Sequence, residues 1–415
     1  MAQGGSRRNG SPNLVQRLMR SVFPRGALTV EEAGAGVPAQ SILRITMSLH
    51  PPPTLRVSIV VSCRDEEAGI EQTIRAAQAQ DWPSERIEIL VADGMSIDAT
   101  REILARLAEE DPRVRLIDNP ARGKTAGLNE CLRRAEGDVI VRMDVRAEYA
   151  ANFVSQCVRA LDRTGADTIG GPARSRARTF FQRCVAAAME SPLAIGGARC
   201  LEAFEGGWVE NVWTAAFRRE IFERIGLFDP NATTNEDEEL NQRLSDAGGR
   251  AYVSRDIVVH YYPRESARAL AKQYFRYGQE RARTMLKHRK LVGWRPALPF
   301  VWLTGELALL ATSPWHPLGA WSLAAYALAT GAEAVRVVRK THASHPIAPE
   351  AGILGAPLAV AAVWGIFPVL HVSHGAGFAA GLARHALRPD WFAAERLSPT
   401  ASDRAAQDPP AITSS

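Results

Sequence analysis

From Arg56 onward the chain alternates short β-branched runs with amphipathic helical stretches, and no other feature of the sequence restricts the fold as much. VSIVV (57–61), IEILVA (87–92), VRLI (114–117) and DVIVR (138–142) read as strands. Between them, residues 67–80 place Ile70, Ile74 and Ala77 on one helical face, and residues 98–110 do the same with Ile103, Leu104 and Leu107. The alternation predicts an α/β fold with a mostly parallel sheet and helices on both faces. A second half follows, with a Gly/Trp-rich stretch GGWVENVWTAAF (206–217), an acidic helix start NEDEELNQRL (235–244) and a strand DIVVHYY (256–262). No internal repeat is evident.

The flanks differ in composition. Residues 1–54 carry Arg7, Arg8, Arg17, Arg20 and Arg25 among Gly, Ser and Pro and end in Pro51–Pro53, so they are expected to be a disordered basic arm. They contain no apolar run long enough for a signal peptide, which predicts that the α/β domain, residues 55–290, stays in the cytosol. Five cysteines, an odd number without a CxxC or a metal-ligand spacing, fit reduced thiols. Beyond Arg281 a basic segment, RARTMLKHRKLVGWRP (281–296), leads into apolar stretches at 298–313, 318–338 and 353–372. Each approaches the ~20 residues that a spanning helix needs, although Glu306, Glu333 and several prolines interrupt them. Transmembrane helices, a hairpin entering one leaflet and buried core helices all fit, and membrane association of residues 291–390 is the favoured reading. Arg281–Arg295 before the first stretch, with Arg336, Arg339 and Lys340 after the second, would keep both ends of that hairpin on the cytosolic side of the inner membrane. Residues 391–415 are expected to be a disordered tail.

The net charge of +5 suits nucleic acid, anionic lipid and phosphate ligands alike. No stacking-aromatic and basic-groove pattern supports a nucleic-acid partner. A dinucleotide-binding turn would place glycines after the first strand, but here the strand runs into SCRDEEAG (62–69). Glu66 in that turn suits a nucleobase or ribose, and Asp65 and Glu66 serve equally well as caps of the next helix. Asp93 stands at the end of the second strand, where open α/β sheets bind ligands, and can instead make a turn with Gly94. Lys124 and Arg122 open a helix in NPARGKTAGLNECL (119–132), a place for anionic phosphate or a solvated basic loop. Asp144 in VRMDVRAEY (141–149) offers a hard oxygen to a divalent cation. Glu236 and Asp237 begin a helix across the expected cleft and can take a proton from a sugar hydroxyl, although acids are routine in a first turn. Gln273, Arg276 and Tyr277 share one helical side.

In this order the motifs resemble the family 2 glycosyltransferases, and within them the bacterial β-glucosyltransferases of the succinoglycan-biosynthesis type. VSIVVSCRDEEAGI, VADGMSID, GKTAGLNECLRRAEGDVIVRMD, NEDEELNQRL and QYFRYGQERART carry the resemblance over residues 55–290, and HVSHGAGFAAG (371–381) extends it more loosely. It implies a GT-A fold, a UDP-sugar donor, a divalent cation (Mg²⁺ or Mn²⁺) and inversion at the anomeric carbon. It further implies that Glu66 and Asp93 contact the nucleoside, that Asp144 begins a DxD-like metal and diphosphate motif, and that Asp237 is the general base. Gln273, Arg276 and Tyr277 would correspond to a QxxRW element bordering acceptor and diphosphate. The sequence departs from the family pattern twice: Arg146 occupies the third DxD-like position, removing a metal ligand and offering a phosphate partner, and Tyr277 replaces Trp.

The expected function is transfer of one sugar, glucose, to a lipid-linked oligosaccharide or polysaccharide during exopolysaccharide assembly, next to membrane lipids and assembly partners. A processive polysaccharide synthase and an inactive nucleotide-sugar-binding scaffold are the alternatives. The first needs more spanning helices than the sequence offers, and the second draws on Arg146.

Overall fold

The computed structural model describes residues 54–195, 206–213, 216–290, 295–344 and 347–391. The expected arm through Pro53 and the tail from residue 392 lie outside the described residues.

The first half is the expected alternation: β1 (Val57–Cys63), α1 (Ile70–Gln78), β2 (Ile87–Asp93), α2 (Thr100–Glu110), β3 (Val114–Asp118), α3 (Lys124–Arg134) and β4 (Val139–Arg142). Side chains alternate across a strand, and β1 uses both faces. Val57, Ile59 and Val61 pack with Ile70 and Ile74 of α1 and Leu104 and Leu107 of α2. Val60 points the other way, to Leu128, Cys131 and Leu132 of α3. With both faces covered, the strands read as continuous apolar runs, as a doubly covered sheet requires.

The second half adds β5 (Ala147–Tyr149), α4 (Phe153–Thr164), β6 (Thr168–Gly170), β7 (Ala173–Ser175), α5 (Phe180–Met189), β8 (Gly206–Val209), β9 (Ala216–Arg218), α6 (Glu220–Ile225), α7 (Glu236–Asp246), β10 (Ala251–Ser254) and β11 (Val259–Tyr261). The main sheet runs β3-β2-β1-β4-β9-β6-β10-β8, while β5, β11 and β7 form a small second sheet. β1 pairs in parallel with β2 and β4, and β2 with β3, whereas β9 runs antiparallel to β4 and β6. The chain leaves β1 for β2 on one side and returns to β4 on the other, which opens a crevice at the C-terminal ends of β1 and β4. The strand expected over 256–262 is limited to β11, because its pairing with β5 and β7 extends no further.

Four helices complete the described chain: α8 (Ala267–His288), α9 (Leu298–Ala311), α10 (Leu318–Ser344) and α11 (Gly355–Leu387). At 1.5 Å per residue, α9 is about 21 Å long, short of a ~30 Å hydrocarbon core. Among the described residues one helix is long and apolar enough to cross a membrane, Gly352–Leu387, and it is the candidate for membrane association. One face of α11 is buried: Phe367, Ile366, Val363 and Leu370 join Leu270 and Tyr274 of α8, Val185 of α5 and Val337 of α10 in one cluster. Leu358, Trp364 and Val372 remain exposed. Glycines set the approach of α8 and α11. A Cβ on Gly278 would lie 2.2 Å from the His374 carbonyl oxygen, and one on Gly377 or Gly381 would lie 2.0 or 2.6 Å from the carbonyl oxygens of Phe275 and Gln279. Only residues without a side chain let these backbones meet.

Candidate active site

At the crevice, a cavity of about 620 Å³ is bounded by the turn after β1, the segment after β4, the start of α7 and the first half of α8. Ten of the residues singled out in the sequence line it: Glu66, Arg122, Lys124, Asp144, Arg146, Glu236, Asp237, Gln273, Arg276 and Tyr277. Asp93 does not. It is fully buried behind the wall, where Arg101 donates to it at 2.8 Å and the Ser96 amide at 3.1 Å.

In the turn after β1 the acids divide their work. None of them caps α1, whose N-cap is Gly69. Asp65 accepts from the Ile97 amide at 2.9 Å and Glu67 from the Ala99 amide at 3.1 Å, tying the turn to the loop after β2. Glu66 is left facing the cavity, where Arg146 Nη2 approaches its Oε1 at 3.0 Å.

The centre is a cluster of opposite charges. β4 ends in Arg142, whose side chain is buried. Its Nε and Nη2 grip Asp144 at 2.9 and 2.8 Å, and Nη2 also reaches Glu236 Oε1 at 2.7 Å. Lys124 Nζ, at the first position of α3, lies 3.1 Å from both Asp144 and Glu236. Burial would raise both carboxyls, but Arg142 and Lys124 overcome it and hold Asp144 well below, and Glu236 below, the usual carboxylate range. Tyr149 fixes the backbone here by accepting from the Asp144 amide at 2.5 Å.

Asp237 stands apart from this pairing. Its Oδ1 accepts from the Glu238 amide at 3.0 Å, and among the described residues no cation forms an ion pair with it. Burial, then the adjacent Glu236 charge, push its carboxyl up to about 6. A carboxylate poised near neutrality in a cleft is equipped to take and release a proton.

The surrounding fold positions Asp237. Asn235 precedes α7 in the left-handed conformation, φ 56°, which asparagine tolerates, and its Nδ2 donates to the Tyr277 carbonyl of α8 at 3.3 Å. On α3, Thr125 donates to the Ala232 carbonyl at 2.5 Å, and Asn129 exchanges bonds with the Phe228 backbone at 2.8 and 3.0 Å. A buried ion cluster locks α7 to α8: Lys287 bridges Asp229 at 2.6 Å and Glu239 at 2.7 Å, and Arg283 reaches Asp229 at 2.8 Å. On α8, Gln273 Nε2 donates to Tyr277 Oη at 2.8 Å, which fixes both side chains at the rim.

Sequence reasoning missed Arg142, Arg264, Tyr149, Thr125 and Asn129. Arg142 had a usable signal, a charge ending an otherwise apolar strand two residues before an acid. Thr125 and Asn129 repeat at i, i+4 on the buried side of α3. For Arg264, which lines the cavity after Pro263, no local pattern pointed inward.

The donor set does not suit the divalent cation that the resemblance implies. Both oxygens of Asp144 and one of Glu236 are already committed to Arg142 and Lys124, and no group of three or more His, Cys, Asp or Glu converges on a metal position among the described residues. A dication at Asp144 would stand against two fixed cations.

Comparison with known proteins agrees with this architecture. Residues 58–226 match the family described as Glycosyl transferase family 2. The succinoglycan biosynthesis protein ExoA of Rhizobium meliloti (strain 1021) is 36% identical over 272 residues, which are 64% of this chain and 82% of that protein. A dolichyl N-acetyl-alpha-D-glucosaminyl phosphate 3-beta-D-2,3-diacetamido-2,3-dideoxy-beta-D-glucuronosyltransferase of Methanococcus voltae is 25% identical over 264 residues, 62% of this chain and 81% of that one. Among solved structures, a mannosyltransferase from Pyrobaculum calidifontis in complex with GDP-Man and Mn²⁺ superposes with a TM-score of 0.54 at 23% identity, covering 81% of this chain and 90% of that one, and shares its fold. With a crevice lined by charged residues at the strand ends of a GT-A-like sheet and a relative this similar over most of its length, the chain belongs to the family 2 glycosyltransferases.

Proposed function

We propose that the chain is an inverting transferase that moves one hexose, glucose, from a UDP-sugar to a lipid-linked oligosaccharide or polysaccharide acceptor in exopolysaccharide assembly. The observation that carries this reading is Asp237, a carboxylate with no direct ion pair among the described residues, held up to about 6 on the cavity wall by burial and Glu236 against the more distant Arg142 and Lys124. As the acceptor oxygen attacks the anomeric carbon, its proton passes to Asp237, and the bond to the diphosphate breaks on the opposite face with its electron pair. Lys124 and Arg276 lie along the same wall to receive that charge. Glu66 is positioned for the nucleoside, while Gln273 and Tyr277 border the acceptor. The name of the Rhizobium meliloti relative supports exopolysaccharide assembly, and the dolichyl acceptor named for the Methanococcus voltae relative supports a lipid-linked substrate.

In this reading residues 55–290 carry the chemistry, and residues 291–390 rest on the inner membrane with the cleft toward the cytoplasm. The exposed apolar side chains of α11, with Trp321 and Leu328 of α10, supply the lipid contact. The test is turnover of a panel of UDP-sugars by the detergent-solubilised protein with lipid-linked acceptor, beside Asp237→Asn. Transfer from one donor that disappears in the variant is expected. Long polymer made by the purified chain would point to a processive synthase, and unchanged in-cell polymer production by the variant would point to a scaffold.

A further inference from the structure

The carboxylates around Asp144 are satisfied by fixed cations, yet the cavity they line holds more basic groups than these acids can use. Seven basic and four acidic side chains face it. Three guanidiniums, Arg146, Arg264 and Arg276, come from three segments to the same wall, after β4, after β11 and on α8. Arg264 and Arg276 have no ion-pair or hydrogen-bond partner among the described residues. Arg264 is pushed down by burial and then by the charges of Arg146 and Arg276 themselves. Like charges gathered at a half-buried wall repel one another unless an anion lies between them, and a guanidinium fork matches phosphate oxygens in geometry as well as charge. Arg146 stands where the DxD-like pattern would supply a second metal ligand, and it is tethered only by the partly exposed Glu66 at 3.0 Å.

Resting on the transferase reading above, we infer that the leaving nucleoside diphosphate is neutralised by this chain's own Arg146, Arg264, Arg276 and Lys124, with Arg146 replacing a metal ligand, so that donor binding and transfer need no divalent cation. Arg142 is withheld from this role because its side chain is buried against Asp144 and Glu236, whereas Lys124, paired with the same acids at 3.1 Å, keeps 41% of its side chain exposed. When the anomeric carbon–oxygen bond breaks, the electron pair stays on the diphosphate oxygen between these groups, and the proton released by the acceptor remains with Asp237. No metal-bound species is required for the charges to balance.

The test is calorimetric binding of UDP, GDP and uridine to the full-length, detergent-solubilised protein, in EDTA and in Mn²⁺. UDP or GDP is expected to bind in EDTA with a Kd within threefold of that in Mn²⁺. Arg146→Ala and Arg264→Ala are each expected to weaken the diphosphate about tenfold while leaving uridine unchanged. Arg146 is two-thirds exposed, so its removal leaves the fold intact. Mn²⁺ tightening the diphosphate by more than threefold, or an Arg146→Ala variant that binds it as well as the parent, would overturn the inference while leaving the transferase reading standing. Failure of both nucleotides to bind in either buffer would sink that reading and the inference together.

Discussion

Replacing Asp237 with asparagine should abolish turnover and, at neutral pH, make the protein more stable. The ordinary carboxyl value of 3.8 is raised to about 6 in the folded chain by burial and by Glu236. The folded state therefore holds this proton more tightly than the unfolded chain, and stability falls as pH rises from about 4 to about 6. Above that window the ionised carboxylate is a fixed penalty. Each pH unit of the window is worth about 1.4 kcal/mol, so the ceiling is about 3 kcal/mol. Solvent at the cavity mouth and the shared charge with Glu236 reduce it to roughly 1–2 kcal/mol. Asparagine keeps the shape and the acceptor oxygen for the Glu238 amide but never ionises. Thermal unfolding of the solubilised protein followed by tryptophan fluorescence should show the variant melting a few degrees higher than the parent at pH 8, with the gap closing toward pH 4.5. Parallel transfer assays should show a loss of about 10²–10⁴-fold, and the parent's kcat/KM should fall on the acid side with a midpoint near 6. A variant that melts at or below the parent at pH 8 would refute the electrostatic account of Asp237, and retained turnover would refute its role as base.

Arg142→Leu leaves Asp144 and Glu236 without their buried guanidinium, and should destabilise the protein by about 3–5 kcal/mol with donor binding lost, measurable by melting and UDP titration. Gly377→Leu places a side chain where a Cβ already meets the Phe275 carbonyl oxygen at 2.0 Å; it should part α8 from α11 and lower kcat, whereas Trp364→Ala on the exposed face should leave detergent-phase turnover intact. Asn129→Leu removes both bonds to Phe228 and should cost roughly 1–3 kcal/mol, with a rise in acceptor KM as the segment leading to Asp237 loosens.

The first half of the fold was legible because β1, β2 and β4 are buried on both faces, the edge strand β3 keeps Val114 and Ile117 buried, and every helix carries one apolar stripe. Periodicity alone therefore located β1 to β4, and the helices began within a few residues of their expected starts. Legibility failed where the determinants are not local. β11 is only three residues because its partners in the second sheet are equally short. Of the three apolar stretches only the third formed a helix long and apolar enough to cross a membrane among the described residues; α9 has 14 residues, and α10, though 27 residues long, is less apolar. In the site, strand ends and helix starts gave Asp144, Lys124, Glu236 and Asp237 their places. What sequence could not supply was which acids remain unpaired, since Arg142 faces Glu236 only through tertiary contact. Asp93 shows the same limit, as a strand-end acid turned inward to Arg101 and Ser96.

The glycine seam between α8 and α11 has a mechanical meaning. Gly278, Gly377 and Gly381 leave no side-chain layer to shear, so the two backbones move as one lever. Gln273, Arg276 and Tyr277 ride on that lever at one end of α8, and Arg283 and Lys287 at the other end grip the segment and helix flanking Asp237. A tilt of the apolar helix is thereby a tilt of the cavity rim, and under the proposed membrane placement the height of α11 in the bilayer would set how far above the lipid surface an acceptor must reach.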